Sequence, residues 1–284
     1  MRLDGVVAEL DAYFRVPDVE NDARWYEQAE PYWREYVEPA WVERRNGLMV
    51  RGADEVDNAI TCVFASDAIV ASAEPRSLIF CEHPLDFADV PGFLPLSRES
   101  FETMRERGLS LYNAHAPLDM HPEVSPSRLL AAGIGLEHLE EYFPIADGIP
   151  GGAAIVGDSR LTLEGLADAI RGLLGPEIKV HVLTRPRQQA GRVAVVAGGG
   201  ATRDILVASL ERGCQTYVTG NAATNCELEF VQAEVREFRA LAEAEGVALI
   251  DAMHYGTEKP PQLAMAEWFR ALGLEAEFRP DGPK

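Results

Sequence analysis

Basic residues are the first shortage in this chain. It carries 26 Lys and Arg against 46 Asp and Glu, a formal net charge of −20 over 284 residues. A surface that neutralises phosphates shows the opposite balance, so direct binding to duplex nucleic acid is disfavoured. Cysteine is scarce too: Cys62, Cys81, Cys214 and Cys226 are the only four, and they form no Cys-x-x-Cys pair. That spacing argues against a zinc ribbon and a thioredoxin-like site, and small buried thiols in a reducing compartment are expected instead. No apolar run approaches the length that crosses a membrane. The opening Met1-Arg2-Leu3-Asp4-Gly5 lacks the apolar core of a secretory signal. The expectation is a cytoplasmic protein with no membrane partner. Nucleotide fingerprints are also missing, because Gly198-Gly199-Gly200 fits neither the Walker pattern nor Gly-x-Gly-x-x-Gly. With Thr202 and Arg203 behind it, this loop could cradle a phosphate at a helix N-terminus. A tight strand-to-helix turn is the favoured reading.

Hydrophobic residues are plentiful at 47%, enough for a packed core in one large domain or two ordinary ones. Leu3, Val6, Val7, Leu10 and Phe14 share a face and predict a helix over 3–15. Residues 17–46, rich in Glu, Arg, Trp and Tyr, read as a polar helical insertion whose aromatics Trp25, Tyr26, Trp33, Tyr36 and Trp41 pack against the domain. Asn46-Gly47 marks a turn. Strand and helix signals then alternate: strands at 59–64, 77–80 and 109–113, helices at 67–73 and 101–107. The Gly- and Pro-containing stretch 146–152 is the best linker, dividing a domain of residues 1–145 from one of 146–284. Beyond it, Thr162 caps a helix with Leu163, Leu166, Ile170 and Leu173 on one face, closed by Gly175. Strands at 178–183, 192–196, 215–218 and 247–252 interleave with helices ending at Leu210 and spanning 228–245, and a last helix begins near Pro260. The fold class is α/β, in layers of sheet and helix.

Six histidines are few enough to weigh singly. His181 falls mid-strand and His138 in an acidic helix, both as structural or exposed groups, and His121 beside Pro122 is ambiguous. The other three follow predicted strands, each with a carboxylate: Glu82 with His83, His115 with Asp119, and His254 with Glu258. The C-terminal edge of an open α/β sheet is where chemistry collects. Mixed nitrogen and oxygen donors suit zinc, iron or manganese, and the set is too large for one closed tetrahedral zinc. Two ions sharing a carboxylate fit it better, and such a pair serves hydrolysis.

These segments resemble the NIF-three-like family, dinuclear-metal proteins named as type 2 homologues of GTP cyclohydrolase I. Asn46-Gly47-Leu48-Met49-Val50 is similar to its early Asn-Gly-Leu segment, and Glu82-His83-Pro84-Leu85 sits where the family has His-His-Pro. Ala114-His115-Ala116-Pro117-Leu118-Asp119 resembles its Ala-His-Thr-x-Leu-Asp block. Ala197-Gly198-Gly199-Gly200 and Tyr217-Val218-Thr219-Gly220 fit its second-half loops, and His254-Tyr255-Gly256-Thr257-Glu258 fits its terminal metal motif. The resemblance implies that His83 and Asp119 hold one ion, that His254 helps hold the other, and that Glu258 bridges them. His115 would be a catalytic or outer group that orients water or substrate. Two similar α/β domains with the metals in the cleft between them, and a hexameric ring, are implied as well. Two positions depart from the pattern. Glu82 replaces an imidazole with an anionic oxygen donor, which as a ligand would shift preference toward manganese or iron. Asn221 stands where the family has an acidic residue. The expected activity is metal-dependent hydrolysis of a nucleotide-like or phosphorylated small molecule; the alternative is a non-enzymatic metal-binding regulator or scaffold that works through protein partners.

Overall fold

The computed structural model describes residues 1–19, 31–85, 96–146, 148–149, 151–184, 188–223 and 229–280. Trp25, Tyr26 and Cys226 lie outside the described residues, and 3-10 turns cover Val16–Asp18 and Pro31–Glu35. The helices are α1 (Leu3–Phe14), α2 (Pro39–Arg44), α3 (Asp67–Ser72), α4 (Arg98–Arg107), α5 (Ala116–Asp119), α6 (Pro126–Gly133), α7 (Leu163–Leu174), α8 (Arg203–Glu211), α9 (Glu229–Ala244) and α10 (His254–Ala271). The strands are β1 (Gly47–Val50), β2 (Asn58–Phe64), β3 (Ser77–His83), β4 (Ser110–Asn113), β5 (Glu137–Tyr142), β6 (Ala154–Thr162), β7 (His181–Val182), β8 (Gln189–Val196), β9 (Thr216–Thr219), β10 (Ala248–Asp251) and β11 (Glu275–Phe278).

Contacts divide the described residues into two compact units, one of residues 1–85, 96–118 and 262–280, the other from 119 to 261. The division differs from a single cut after residue 145, and pairing explains why. Strand β5, before that cut, pairs with β6 after it. Strand β11, near the C-terminus, joins β2 in parallel.

The first unit is built on a five-stranded sheet in the order β1-β4-β3-β2-β11, with β2, β3, β4 and β11 parallel and β1 antiparallel. Strand β3 is buried at every position, so its residues form a near-continuous apolar run, as sheets covered on both faces require. One face carries Ile60, Cys62, Ile79 and Cys81 into a core completed by Trp33, Trp41, Val70, Phe101 and Met104. Trp33 and Trp41 are thus packed aromatics, as their spacing suggested. On the other face, Phe80 meets Phe14 of α1 at a centroid distance of 5.6 Å and Phe269 of α10 at 6.0 Å.

The second unit holds a six-stranded mixed sheet, β5-β6-β8-β9-β10-β7. Thr162 caps α7 by accepting from the Gly165 N–H, and Gly175 follows it at a φ of +98°. The buried face is Leu163, Leu166, Ala167, Ile170 and Leu174, while Leu173 is exposed. Strand β7 is only two residues long, paired with the end of β10.

His138 was expected in an acidic helix and instead lies in β5, an edge strand, at a φ of +55°. Ladder pairing with β6 explains the change, over Glu137 with Asp158 and Glu140–Tyr142 with Val156–Ala154, and Glu137, Glu140 and Glu141 add ion pairs to Arg160, Arg192 and Arg128. Among the described residues, no helix is long and apolar enough to cross a membrane.

Candidate metal centre

In the first unit, the ligand candidates sit on the end of β3. Its ladder continues to the pair Phe64 with His83, so Glu82 and His83 are strand residues rather than a loop after Phe80. The strand holds that far because the Ala65 N–H donates to the His83 carbonyl at 2.9 Å and the Ala114 N–H to the Cys81 carbonyl at 3.1 Å. Only then does Pro84, with no N–H to give, end the pairing. Consecutive strand side chains point to opposite faces. His83, 2% exposed, lies against the Phe64 ring at 4.7 Å and 18°, and the His115 ring meets it edge-on at 4.8 Å and 70°. Glu82, wholly buried, takes the other face with Phe80, where its Oε2 is 3.5 Å from Nε2 of Gln262.

A polar chain of side chains holds this strand end from behind. The Trp41 indole donates to Asn113 Oδ1 at 2.5 Å, and Asn113 Nδ2 donates to the Glu82 main-chain carbonyl at 3.2 Å. Asn46 accepts from the His115 N–H at 2.9 Å, which fixes the half-buried His115 at the start of α5. Asp119, also half-buried, closes that helix. Of the supporting residues, Asn113 did not stand out in the sequence, and Asn46 and Trp41 stood out only as a turn residue and a packing aromatic. The signal for Asn46 and Asn113 was polar side chains flanking predicted strands, which is too common to single them out.

In the second unit, α10 begins at His254 rather than near Pro260. The Thr257 N–H donates to the Met253 carbonyl at 3.0 Å, so Met253 is the residue that starts the helix. Met253 has a left-handed φ of +62°, costly for a residue with a Cβ by about 1–2 kcal/mol. Asp251 offsets this by accepting from the Met253 N–H at 3.1 Å and the Ala223 N–H at 2.9 Å. Burial pushes the Asp251 carboxyl above its ordinary range, against the pull of those N–H groups and of His181. Inside the helix, the four-residue spacing lays His254 and Glu258 on one face, with His254 Nε2 2.9 Å from Glu258 Oε1. Pro260 and Pro261 lie within the helix, past the pair.

The loops around this pair are shaped to it. Gly198, at a φ of +60°, brings its backbone so close that an added Cβ would lie 1.8 Å from Glu258 Oε1 and 3.1 Å from His254 Nε2. A Cβ at Gly220 would lie 2.7 Å from the His254 Cα and 2.7 Å from Thr257 Oγ1. Thr257 Oγ1 accepts from the Gly198 N–H at 2.8 Å, and the Gly220 N–H donates to the Gly198 carbonyl at 3.2 Å. The Gly198–Gly200 loop is therefore a cradle for a carboxylate and an imidazole. Asn221 accepts from the Ala201 N–H at 2.8 Å, so its amide serves the loop's own backbone. Buried imidazole and carboxylate donors, with glycines clearing the space around them, fit a divalent metal of the zinc, iron or manganese class.

Comparison with known proteins agrees with these segments. The profile of the Duf34/NIF3 (NGG1p interacting factor 3) family matches residues 36–279. A Haemophilus influenzae protein named "GTP cyclohydrolase 1 type 2 homolog" is 25% identical over 240 residues, covering 82% of this chain and 88% of that one. A Deinococcus radiodurans protein of the same name is 31% identical over 217 residues, covering 75% of each. The crystal structure of TTHA1606 from Thermus thermophilus has a TM-score of 0.67 and 25% identity, over 100% of this chain and 99% of that one. The chain belongs to the Duf34/NIF3 family.

Proposed function

We propose that this protein is a metal-dependent hydrolase of a nucleotide-like or other phosphorylated or cyclic small molecule. His83 and Asp119 would hold one divalent ion, His254 the other, and Glu258 both. The observation that carries this is the His254–Glu258 pair on α10, seated where Gly198 leaves no room for a Cβ. Two ions held by these residues would supply Lewis-acid activation of water and of the leaving oxygen. Around them, the chain's own groups orient and protonate. His115, fixed at its N–H by Asn46 and packed edge-on to His83, offers an imidazole nitrogen to accept a proton from water or return it to a leaving oxygen. Phe64 presses on the His83 ring and limits its rotation. The relatives named as GTP cyclohydrolase 1 type 2 homologues support a nucleotide-like substrate, although a fold by itself dictates none. A hexameric assembly in the cytoplasm belongs to the same proposal.

The test is a panel of nucleotides, cyclic nucleotides and phosphoesters, offered to protein loaded with manganese, iron or zinc. Turnover is expected with at least one ion and is lost in the His254→Ala, Glu258→Ala double variant. Equal turnover in that variant would sink the metal reading. A second reading, a metal-binding scaffold for a protein partner, draws on Asn221, whose amide is engaged with the Ala201 N–H. It predicts metal binding with no turnover anywhere on the panel.

A further inference from the structure

Glu82 stands where the resemblance places a metal-binding imidazole, yet its surroundings in the first unit are not those of a ligand in waiting. Strand alternation puts it on the face it shares with Phe80, which α10 covers through Phe269, so what sets it apart is its amide partner there. The main-chain carbonyl of Glu82 is held by Asn113 at 3.2 Å, and its carboxylate Oε2 lies 3.5 Å from the Gln262 amide nitrogen. Gln262 is itself anchored, since its main-chain carbonyl accepts from Thr61 Oγ1 at 2.7 Å, and both Glu82 and Gln262 have no exposed surface. The amide orientation is set by chemistry: Nε2 can donate to a carboxylate, while Oε1 in its place would be repelled.

We infer that Glu82 does not ligate metal, and that Gln262 withholds its carboxylate from the centre. The inference rests on the metal reading proposed above. The centre then works with His83, Asp119, His254 and Glu258, one donor fewer than the resemblance gives. With one donor fewer, these residues would hold one of the two ions less tightly. Gln262 is a positioning residue in this scheme, acting through Glu82.

Three variants test it by counting metal, without reference to activity. Wild type, Glu82→Gln, Glu82→His and Gln262→Met proteins are loaded separately with Mn2+, Fe2+ and Zn2+, dialysed against graded chelator, and measured by elemental analysis. Glu82→Gln keeps the size and the contact with Gln262, and is expected to match wild type within about twofold for every ion. Glu82→His restores an imidazole and is expected to tighten the weaker ion by roughly tenfold, most for zinc. Gln262→Met removes the amide at similar volume and is expected to tighten manganese, because the carboxylate can then swing to it. Loss of an ion in Glu82→Gln overturns the inference, since Glu82 would then be a ligand. Unchanged manganese affinity in Gln262→Met overturns the role given to Gln262. Wild type that binds no metal at all would refute the metal reading and this inference together, whereas a deficit confined to Glu82→Gln refutes the inference alone.

Discussion

Gly198→Ala separates what the Gly198 loop does for the fold from what it does for the proposed metal centre. Alanine at a φ of +60° is strained by about 1–2 kcal/mol. Its Cβ would also start 1.8 Å from Glu258 Oε1, so the carboxylate must retreat by about 1.6 Å to reach an ordinary contact of 3.4 Å. The displaced atom is the end of a flexible side chain, and the added structural cost of that retreat is small. Metal bonds are far less forgiving, because ligand distances hold to within about 0.2 Å. The control is Gly213→Ala, at a φ of +74° with nothing within 4 Å of the new Cβ. It carries the same backbone strain and touches no ligand. Both variants should lower Tm by a few degrees, at roughly 2–4 °C per kcal/mol for chains of this size. Only Gly198→Ala should lose metal in elemental analysis, by at least one ion per chain. Full metal content in Gly198→Ala, or equal loss in Gly213→Ala, would refute the reasoning.

Three further outcomes follow from the same contacts. Trp41→Phe keeps the ring but strands the buried Asn113 Oδ1, at a cost of about 1–3 kcal/mol, read as a lower urea midpoint; an unchanged midpoint would show that the indole N–H bond contributes nothing. Asp251 has a folded pKa raised above its ordinary value of 3.8, so the folded state binds more protons there and stability falls as pH rises from about 3.8 toward the folded pKa. Urea titrations at stepped pH should show that decline in wild type and its absence in Asp251→Asn; parallel curves would place the linkage elsewhere. Burial pushes the Cys214 thiol up to about 11, so at pH 8 only about one molecule in a thousand is thiolate there. Iodoacetamide should modify Cys214 in urea-unfolded protein and leave it intact in native protein by peptide mapping, and rapid native labelling would contradict its burial.

Much of the scaffold was legible because its elements obey local rules. The α1 face, the Thr162 cap with Gly175 beyond α7, and the apolar β2 and β3 runs all pair a period with a terminator. Residues 137–142 were not legible, because their acidic spacing satisfies a helix as well as a strand. The deciding partner is strand β6, which no local window contains. The unit boundaries were hidden for a similar reason. The pairing of β11 with β2 joins residues some two hundred positions apart.

The start of α10 shows how one misread residue hides a neighbour of a pair already recognised. Pro260 looked like the first helical position, where proline is at home, and that placed His254 and Glu258 on a turn. In the structure the helix starts earlier because Asp251 and Met253 start it, and it tolerates Pro260 and Pro261 two turns in. Once the start is moved to His254, the four-residue spacing becomes informative. It puts His254, Glu258 and Gln262 on one face of the helix. The first two are the pair proposed to hold metal. The third carried no signal of its own, yet it is the side chain that meets Glu82, the position where the motif elsewhere in the chain departs from its pattern. A substitution on one strand and an amide two turns along a helix are thus one feature, visible only when the helix register is right.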